Sequence, residues 1–416
     1  MAIDFALSPE QQTLQANARE FARTVLSEVR SVIAPLPRPE DRFFATQPMY
    51  AQMAKAGFVH AMFPTEYGGG GMSTLDFALA AEELTAVDIN VPTTLLGCGL
   101  GMEPILGFGT DDQKRRFIAE ILEEPERRLA SFAFTETIGG ANFDNPGPDA
   151  GVRTLARREG DEWVINGKKH FTTNGSGWDG NGAHLYTVVC RTDPDRPTPE
   201  SLAIIVVPGN APGVEVVGYL DTAGHRAVAS PIVHFNDVRV PADNILGEPG
   251  DAPRMVRHTF AWTAAIIGAA CVGVMRAAFD LAFEFTKTDK RGGDVLVIEH
   301  QNAGYMLADL KMRIEAARYL TWKACHQLDL HRDSDELAIM TKVYSSELCV
   351  QVVYDAMRLV GVNSYSDLSP LAGLMQDALC FPLYDGGNMG VRRRQLHHTF
   401  LTPGYDPMAS AEGRRA

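Results

Sequence analysis

One carboxylate near the C-terminal end of the chain stands in a stretch that could support chemistry. The stretch FPLYDGGN places Asp385 between an aromatic residue and two glycines. Glycines let a backbone approach a ligand closely, and a carboxylate held there could act as a general base. The stretch by itself favours a simpler interpretation, in which Asp385 caps a turn. The rest of the chain has to decide between the two.

Other residues that carry chemistry give weaker signals. The six cysteines are scattered and form no CxxC pair, which favours reduced thiols over a disulfide framework or a zinc site. His397 and His398 are adjacent, so on a helix they would not share a face and would not bind a metal together. The same reasoning argues against a common anion pocket at Arg392, Arg393 and Arg394. The sequence therefore predicts no metal site.

The composition is that of an ordinary globular protein of 416 residues, long enough for two or three domains. A formal net charge of −14 argues against nucleic acid or an anionic membrane as the main partner. The N-terminus lacks the basic and apolar regions of a signal peptide. The uncharged run from Thr259 to Met275 is bounded by His258 and Arg276, which favours a buried helix over a membrane span. We expect a cytoplasmic protein without a membrane span.

The elements that must position Asp385 follow the order helix, β and helix. Apolar residues recur at three-to-four spacing up to about residue 127, alternate with polar residues to about 240, and return to helical spacing after 252. No GxGxxG follows a strand, so the order does not fit a dinucleotide-binding fold. We predict an α-helical domain over residues 1–127, a β domain over 128–243, a helical bundle over 244–401 and a disordered tail over 402–416.

Six stretches, in order along nearly the whole chain, resemble the acyl-CoA dehydrogenase family of flavoproteins. They are DFALSPEQQ, FPTEYGGGGMS, SFAFTETIGGAN, INGKKHFTTNG, FNDVRVPADNILGEPG and the segment from AMRLVG to YDGGN. Each is a weak signal alone, but their order and spacing are specific. The resemblance implies a multidomain α and β fold, with an N-terminal helical domain, a middle β-barrel domain and a C-terminal four-helix bundle. It also implies non-covalent FAD and a homotetramer or homodimer.

The resemblance further implies an oxidoreductase that desaturates an acyl thioester. In the family, a carboxylate removes the α-proton of the thioester while the β-hydrogen leaves as a hydride to flavin N5. An electron acceptor such as an electron-transfer flavoprotein then takes the electrons. Tyr384, Asp385 and Gly386 match the family's Tyr-Glu-Gly. Asp385 is therefore implied as the catalytic base, acting on an acyl-CoA or on an acyl group held by a carrier protein.

The resemblance also carries over residues for the cofactor and the substrate. Those implied for FAD are Phe134, Thr135, Phe171, Thr173, Lys290, Arg291, Gln301, Gly361, Gly387 and Asn388. Those implied for the substrate are Ala141, Tyr384, Gly386 and Arg257. Lys290 and Arg291 would meet the pyrophosphate of a neighbouring subunit's FAD. For each residue, an ordinary role in the core or on the surface is the alternative.

Three departures from the family pattern bear on the substrate. Asp385 replaces a glutamate, which withdraws the carboxylate by about 1.5 Å, the length of one C–C bond. Ala141 replaces a serine that contacts the carrier arm. The segment Phe260–Ala264 lacks the Asp and Arg that hold this arm, so Arg257 is a candidate substitute. Thr263 stands where a subset of the family carries its catalytic glutamate.

Two alternatives on the same fold stay open. A two-component flavin monooxygenase fits the missing carrier-arm charges but leaves the carboxylate at position 385 unexplained. A flavin-holding scaffold without turnover, as in DNA-associated relatives, needs a basic face that a charge of −14 does not favour. The favoured interpretation is dehydrogenation of an acyl thioester with Asp385 as the base.

Overall fold

The computed structural model describes residues 5–147, 149–330 and 335–414. The N-terminal domain consists of helices α1 (Pro9–Phe21), α2 (Val29–Ile33), α3 (Pro39–Ala45), α4 (Gln47–Lys55), α5 (Phe58–Ala61), α6 (Thr74–Thr85), α7 (Asn90–Phe108) and α8 (Asp111–Leu122). The first helix begins after Ser8, because Ser8 and Gln11 each accept a hydrogen bond from the other's backbone N–H, at 3.2 and 3.1 Å.

The middle domain is built on one eight-stranded sheet. Its strands are β1 (Ala130–Ala133), β2 (Leu155–Glu159), β3 (Glu162–Lys169), β4 (Leu185–Arg191), β5 (Leu202–Pro208), β6 (Val214–Tyr219), β7 (Pro231–Pro241) and β8 (Ile245–Leu246), and the short helix α9 (Thr198–Ser201) precedes β5. The hydrogen-bonded order is β6-β7-β3-β2-β4-β5-β8, with β1 parallel to β4. Because β5 is buried along all but its last residue, its sequence is an unbroken apolar run.

The C-terminal domain is a bundle of long helices. They are α10 (Ala252–Thr288), α11 (Gln301–Leu330), α12 (Glu336–Val360), α13 (Pro370–Cys380) and α14 (Arg393–Phe400). Within the described residues, α10 is the one helix long and apolar enough to cross a membrane, and most of its apolar window is buried inside the protein. It packs against α6, α7, α11 and α12, as a core helix does.

The predicted three-domain fold is confirmed, but the end of the chain differs from expectation. Residues 402–414, expected to be disordered, form turns against the bundle. The Tyr405 hydroxyl donates to Glu336 Oε1 at 2.6 Å. Gln327 Nε2 donates to the carbonyl of Arg414 at 3.3 Å. Polar groups of this segment, which was expected to be disordered, instead form hydrogen bonds with side chains of α11 and α12.

Helix α7 lies directly on strand β1 because a glycine stands at the crossing. A Cβ on Gly101 would lie 2.5 Å from the backbone nitrogen of Ser131. Thr187 on β4 donates to the Gly101 carbonyl at 2.9 Å. This close packing fixes the end of β1, and the chain that follows it, relative to the helical domains.

A buried ion network joins α6 to α1, α10 and α11. Glu82 and Glu83 are almost fully buried. Arg276 donates to both carboxylates at 2.7–2.9 Å, Arg19 pairs with Glu83, and Arg318 pairs with Glu82. Burial acts to raise the pKa of Glu83, but the hydrogen bonds from Arg276 and Arg19 outweigh it, so the pKa is lowered. Glu83 is therefore charged at neutral pH and ties these helices together.

Replacing Arg276 with Met should destabilise the protein strongly, because two buried carboxylates lose a shared partner. Breaking a buried ion pair in this way costs about 3–5 kcal/mol, so we expect the Tm in scanning calorimetry to fall by about 10 °C. The matched control Arg239→Met removes an exposed partner of Glu159 and Glu162. It should leave the Tm close to that of the wild type, because exposed ion pairs contribute little to stability. Equal shifts in Tm for the two variants would contradict a structural role for the buried network.

Candidate active site

Asp385 lies in a tight turn that follows α13. The backbone N–H of Gly387 donates to the carbonyl of Tyr384 at 3.1 Å and closes this turn. Asp385, Gly386 and Gly387 have φ values of +53°, +86° and +61°. Glycine adopts this left-handed backbone without steric cost, and aspartate tolerates it better than most residues. This requirement explains the sequence Asp-Gly-Gly.

The carboxylate of Asp385 is almost fully buried and is held by two donors. Thr263 Oγ1 donates to its Oδ1 at 2.8 Å. Arg392 pairs with its Oδ2, and Arg392 Nε donates to the Asp385 carbonyl at 2.8 Å. The Arg392 guanidinium is fully buried, donates to the Phe260 carbonyl at 3.1 Å and lies 5.0 Å from the centre of the Phe260 ring. The site is therefore a buried ion pair in which each charge compensates the other.

The sequence identifies Asp385 but not its partners. Arg392 follows Asp385 by seven residues, and this spacing was the available signal. This spacing does not predict the contact, because the left-handed turn between Asp385 and Arg392 interrupts the helical periodicity. Arg393 and Arg394 pair with other carboxylates, so the three arginines do point apart. From the sequence, Thr263 marks only the absence of a family glutamate, whereas the structure gives it a direct hydrogen bond to the Asp385 carboxylate.

An exposed aromatic ring and two hydroxyl-bearing residues lie together beyond the ends of β1 and β3. Phe171 has a left-handed backbone, with a φ of +51°, and 56% of its surface is exposed, which is uncommon for a bulky apolar residue. The His170 N–H donates to the Thr135 carbonyl at 2.8 Å, and Ser131 Oγ donates to the Thr173 carbonyl at 2.6 Å. These bonds bring Phe171, Thr135 and Thr173 to one place, called the β1–β3 edge below.

A buried ion pair between Lys169 and Glu136 holds the backbone next to the β1–β3 edge. Lys169 Nζ donates to the Phe134 carbonyl at 3.1 Å and to Glu136 Oε1 at 2.9 Å. Burial lowers the pKa of Lys169, although Glu136 acts against this. Burial acts to raise the pKa of Glu136, but Lys169 and Thr154 outweigh it, so the pKa is lowered. The pair therefore fixes the backbone around Phe134 and Thr135.

The β1–β3 edge fits a flavin ring in its chemistry. An isoalloxazine ring is flat and aromatic, with a polar rim of nitrogen and oxygen atoms. Phe171 offers an exposed aromatic side chain, and the neighbouring Thr135 and Thr173 each carry a hydroxyl. Aromatic rings favour stacked or edge contacts with one another. The four residues predicted for the flavin ring, Phe134 included, are thus brought together.

A cavity of about 240 Å³ adjoins the β1–β3 edge. It lies beside Phe134, under the loop that contains Ile138 and Asn142, and none of the described residues that line it is charged. The Phe134 ring packs against the Phe260 ring with 5.4 Å between centroids. Phe260 also contacts Arg392, so one ring links Phe134 at the cavity to the ion pair. The lining of the cavity suits a small uncharged molecule.

Four of the other residues predicted for FAD, Lys290, Arg291, Gln301 and Gly361, lie on the C-terminal domain. Arg291 binds the carbonyl of Val360. Gly361 has a φ of +78°, and a Cβ there would collide with the Arg291 guanidinium. Lys290 and Gln301 bond within their own segments of the chain. The expectation that this group meets a neighbouring subunit's FAD stays a prediction.

The side chain of Asn388, which was predicted to bind the cofactor, makes its hydrogen bonds inside the bundle. Its side chain is buried, donates to Ser346 Oγ and Glu347 Oε1 at 2.9 and 3.2 Å, and accepts from Lys342 Nζ at 2.8 Å. All three partners belong to α12, so the amide anchors the turn to the bundle interior. Gly387 shares this turn, and its contact with the cofactor stays a prediction.

Three of the four residues predicted for the substrate lie around the turn. A Cβ on Gly390 would lie 2.6 Å from the Cβ of Ala141, so the Ala141 loop rests on the segment that follows Tyr384 and Gly386. The Tyr384 ring packs against two aromatic side chains, and burial raises its pKa. Arg257 is exposed on α10, more than one helical turn before Thr263. Their contacts with a substrate stay predictions.

The chain matches known protein domains along its length. It matches the acyl-CoA dehydrogenase N-terminal domain over residues 8–125, the middle domain over 131–238 and the C-terminal domain over 254–400. It is 38% identical to a nitroalkane oxidase of Podospora anserina, with 99% of each chain covered. It is 34% identical to a nitroalkane oxidase of Fusarium oxysporum, with 99% of this chain and 98% of the relative covered.

Among the solved structures, nitroalkane oxidase also superposes more closely on this chain than an acyl-CoA dehydrogenase does. An active-site mutant of nitroalkane oxidase, crystallised with 1-nitrooctane, superposes with a TM-score of 0.94 at 34% identity, covering 99% of this chain and 100% of the other. Another nitroalkane oxidase structure concerns the roles of an aspartate and an arginine, seven positions apart, in that enzyme's reaction. Butyryl-CoA dehydrogenase from Megasphaera elsdenii superposes with a TM-score of 0.83 at 28% identity, covering 96% of this chain and 100% of the other.

The prediction of acyl-thioester dehydrogenation is wrong. The relatives that match the full chain at 34–38% identity are nitroalkane oxidases, and acyl-CoA dehydrogenases are more distant. The physical reason lies at the carrier arm, because Phe260–Ala264 carries no charge and Ala141 carries no hydroxyl. An acyl-CoA or carrier-bound thioester is therefore no longer the expected partner.

The prediction of FAD is confirmed, because nitroalkane oxidases and acyl-CoA dehydrogenases are FAD flavoproteins. The chain is a flavoprotein oxidoreductase, and the alternative of a scaffold without turnover is set aside.

Replacing Phe171 with Ala should weaken FAD binding, because the flavin ring loses an aromatic contact worth about 0.5–1.5 kcal/mol. We expect the Kd for FAD to rise by about three- to tenfold in a titration of the apoprotein. The control Phe5→Ala removes another exposed phenylalanine, whose ring contacts Tyr319, and should leave the Kd unchanged. An unchanged Kd for Phe171→Ala would show that the ring does not contact the cofactor.

Proposed function

The chain belongs to the acyl-CoA dehydrogenase family, and from this premise we propose that it is an FAD-dependent oxidase of nitroalkanes. The likeness to nitroalkane oxidases over 99% of the chain carries the proposal. The seven-residue spacing between Asp385 and Arg392 supports it, because an aspartate and an arginine with this spacing are studied in the reaction of such a relative. The predicted family is thus confirmed, while the substrate differs from the one expected.

Asp385 is proposed as the base that removes a proton from the substrate. The carbon beside a nitro group carries an acidic proton, because the nitro oxygens take up the negative charge that remains. The C–H bond breaks, its electron pair moves into the nitro group, and the proton passes to a carboxylate oxygen of Asp385. When bound, FAD accepts the two electrons of the oxidation.

Thr263 and Arg392 orient this base. Their hydrogen bonds engage both oxygens of Asp385 and fix the plane of the carboxylate, yet each oxygen keeps a lone pair for the proton. Orientation matters for the rate, because a misplacement of about 1 Å can cost on the order of 100-fold.

The cavity next to the β1–β3 edge supports a small substrate without a carrier. The cavity of about 240 Å³ beside Phe134 has an apolar and amide lining, which suits an alkyl chain and an uncharged nitro group. The loop at Ala141 rests on the segment at Gly390. Neither the described lining of the cavity nor the segment Phe260–Ala264 of α10 carries a cation for the phosphates of a coenzyme.

Dioxygen is proposed as the electron acceptor, in place of the electron-transfer flavoprotein that the family resemblance implied. The word oxidase in the names of the relatives supports this choice. The balanced reaction consumes a nitroalkane, dioxygen and water, and gives an aldehyde or ketone, nitrous acid and hydrogen peroxide. The carbon is oxidised, dioxygen is reduced, and the nitro group leaves as nitrite.

A second copy of the chain is the proposed protein partner, as a homodimer or homotetramer. Large apolar side chains are exposed on the C-terminal domain; they are Val362, Tyr365, Leu368, Leu383 and Met389. Apolar side chains exposed to this extent favour an interaction site where they form a patch. A cytoplasmic location also stays part of the proposal.

Replacing Asp385 with Asn should abolish most turnover of neutral nitroalkanes, because an amide cannot take the proton. We expect kcat/KM for nitroethane to fall by about 100-fold or more, in the range of general base catalysis. The anion of nitroethane, prepared at high pH and added before it reprotonates, needs no base and should be oxidised within a few-fold of the wild-type rate. Oxygen consumption and nitrite release measure both rates.

The control for this experiment is Asp355→Asn, which alters a paired carboxylate elsewhere in the bundle and should not change either rate. Equal losses on the neutral and anionic substrates would assign Asp385 to binding or folding rather than to proton abstraction. A wild-type protein loaded with FAD that consumes no oxygen with nitroalkanes would overturn the proposed function.

A further inference from the structure

Lys342 clamps the turn that carries Asp385. It lies on α12 and is completely buried. Its Nζ donates to the Tyr384 carbonyl at 2.9 Å and to Asn388 Oδ1 at 2.8 Å. Tyr384 and Asn388 flank the three left-handed residues that begin at Asp385. One ammonium group therefore holds both ends of the turn.

Asn388 also connects the turn to two further residues of α12. The Asn388 amide donates to Ser346 Oγ at 2.9 Å and to Glu347 Oε1 at 3.2 Å. Lys342 and Ser346 are four residues apart on the helix, so they lie on the same side of it. A rigid helix thus holds the turn at several points, and the turn cannot shift without breaking several buried hydrogen bonds.

A gain in stability does not explain a buried ammonium group here. Taking an ion out of water is costly, and apolar replacements of buried charges are often neutral or stabilising. Burial lowers the pKa of Lys342 to about 8, while Asp385 acts in the opposite direction. The titratable groups that act on it are Asp385, Arg392, Cys271 and Glu347. Lys342 is therefore mainly charged at pH 7, in spite of that cost.

We infer that Lys342 is a positioning residue for the proposed proton abstraction, which it serves by holding the Asp385 turn in place. The inference rests on the proposed function for its reaction, whereas the clamp is a property of the chain itself. Arg392, paired with the Asp385 carboxylate, supplies a fixed positive charge at the end of the turn that Lys342 holds. Fixed positive charge stabilises an anion that forms beside it, as it does when a nitroalkane loses its proton.

The test compares full-length, FAD-loaded wild type with Lys342→Met, which keeps an unbranched side chain but removes every donor. We expect kcat for neutral nitroethane to fall by about 10- to 100-fold with little change in KM, because the base is displaced. Turnover of the nitroethane anion should change by less than about threefold, since it bypasses the base. Hydrogen–deuterium exchange should rise in the peptide that covers residues 384–388 and stay unchanged in α10 and α11.

The matched control is Lys287→Met, which removes an exposed lysine near the end of α10 and should match wild type in every readout. Wild-type amide exchange in Lys342→Met, or an unchanged ratio of neutral to anionic turnover, overturns the inference. If wild type does not oxidise nitroethane, the proposed function fails, and amide exchange still decides whether Lys342 holds the turn.

A second variant keeps the inference testable if Lys342→Met does not fold. Asn388→Ala removes one of the two acceptors of Lys342 and both bonds to Ser346 and Glu347. We expect faster exchange over residues 384–388 and a fall of about three- to tenfold in kcat for neutral nitroethane, with an unchanged Kd for FAD. Amide exchange at the wild-type rate in this variant contradicts the clamp. A higher Kd for FAD would instead indicate that Asn388 binds the cofactor.

Discussion

A negative charge buried in a protein has to be compensated, and this constraint arranges the whole site around Asp385. The carboxylate requires a cation, and Arg392 supplies it from the chain just beyond the turn. The buried guanidinium in turn requires acceptors, and one of these is the carbonyl of Phe260 on α10. Thr263, one turn further on, completes the set. The start of α10 and the turn after α13 are therefore held together by polar groups that cannot be left unpaired.

The general fold could be predicted from the sequence because its long elements are strongly periodic. The apolar spacing of α10, α11 and α12 and the change of pattern near residue 128 place the three domains in order. The C-terminal tail could not be predicted in this way, because its polar composition does not show which groups of the protein it would contact. Tyr405 and the backbone at Arg414 find hydrogen-bonding groups on α11 and α12, and no local pattern in the sequence announces such contacts.

The candidate site could be predicted only as far as single positions match a family motif. Asp385 was found because YDGGN keeps the shape of the family turn. Its dependence on Arg392, Thr263 and Lys342 could not be found, because each contact crosses a left-handed backbone or joins separate helices. Asn388 was assigned to the cofactor for the same reason, since spacing does not show on which side of a turn an amide points.

The difference in substrate follows from how enzymes use binding energy. A thioester α-proton is weakly acidic, and binding of remote parts of a substrate, such as a carrier arm, can be used to position the reacting centre. A nitroalkane has no such arm, but its own nitro group takes up the charge that develops. An enzyme for this substrate can therefore lose the carrier contacts at Ala141 and Phe260–Ala264, provided that the base itself is held firmly. The pairing of Asp385 with Arg392 and the turn anchored by Lys342 meet that condition, so the changes at the carrier arm and the shorter carboxylate fit the proposed nitroalkane substrate.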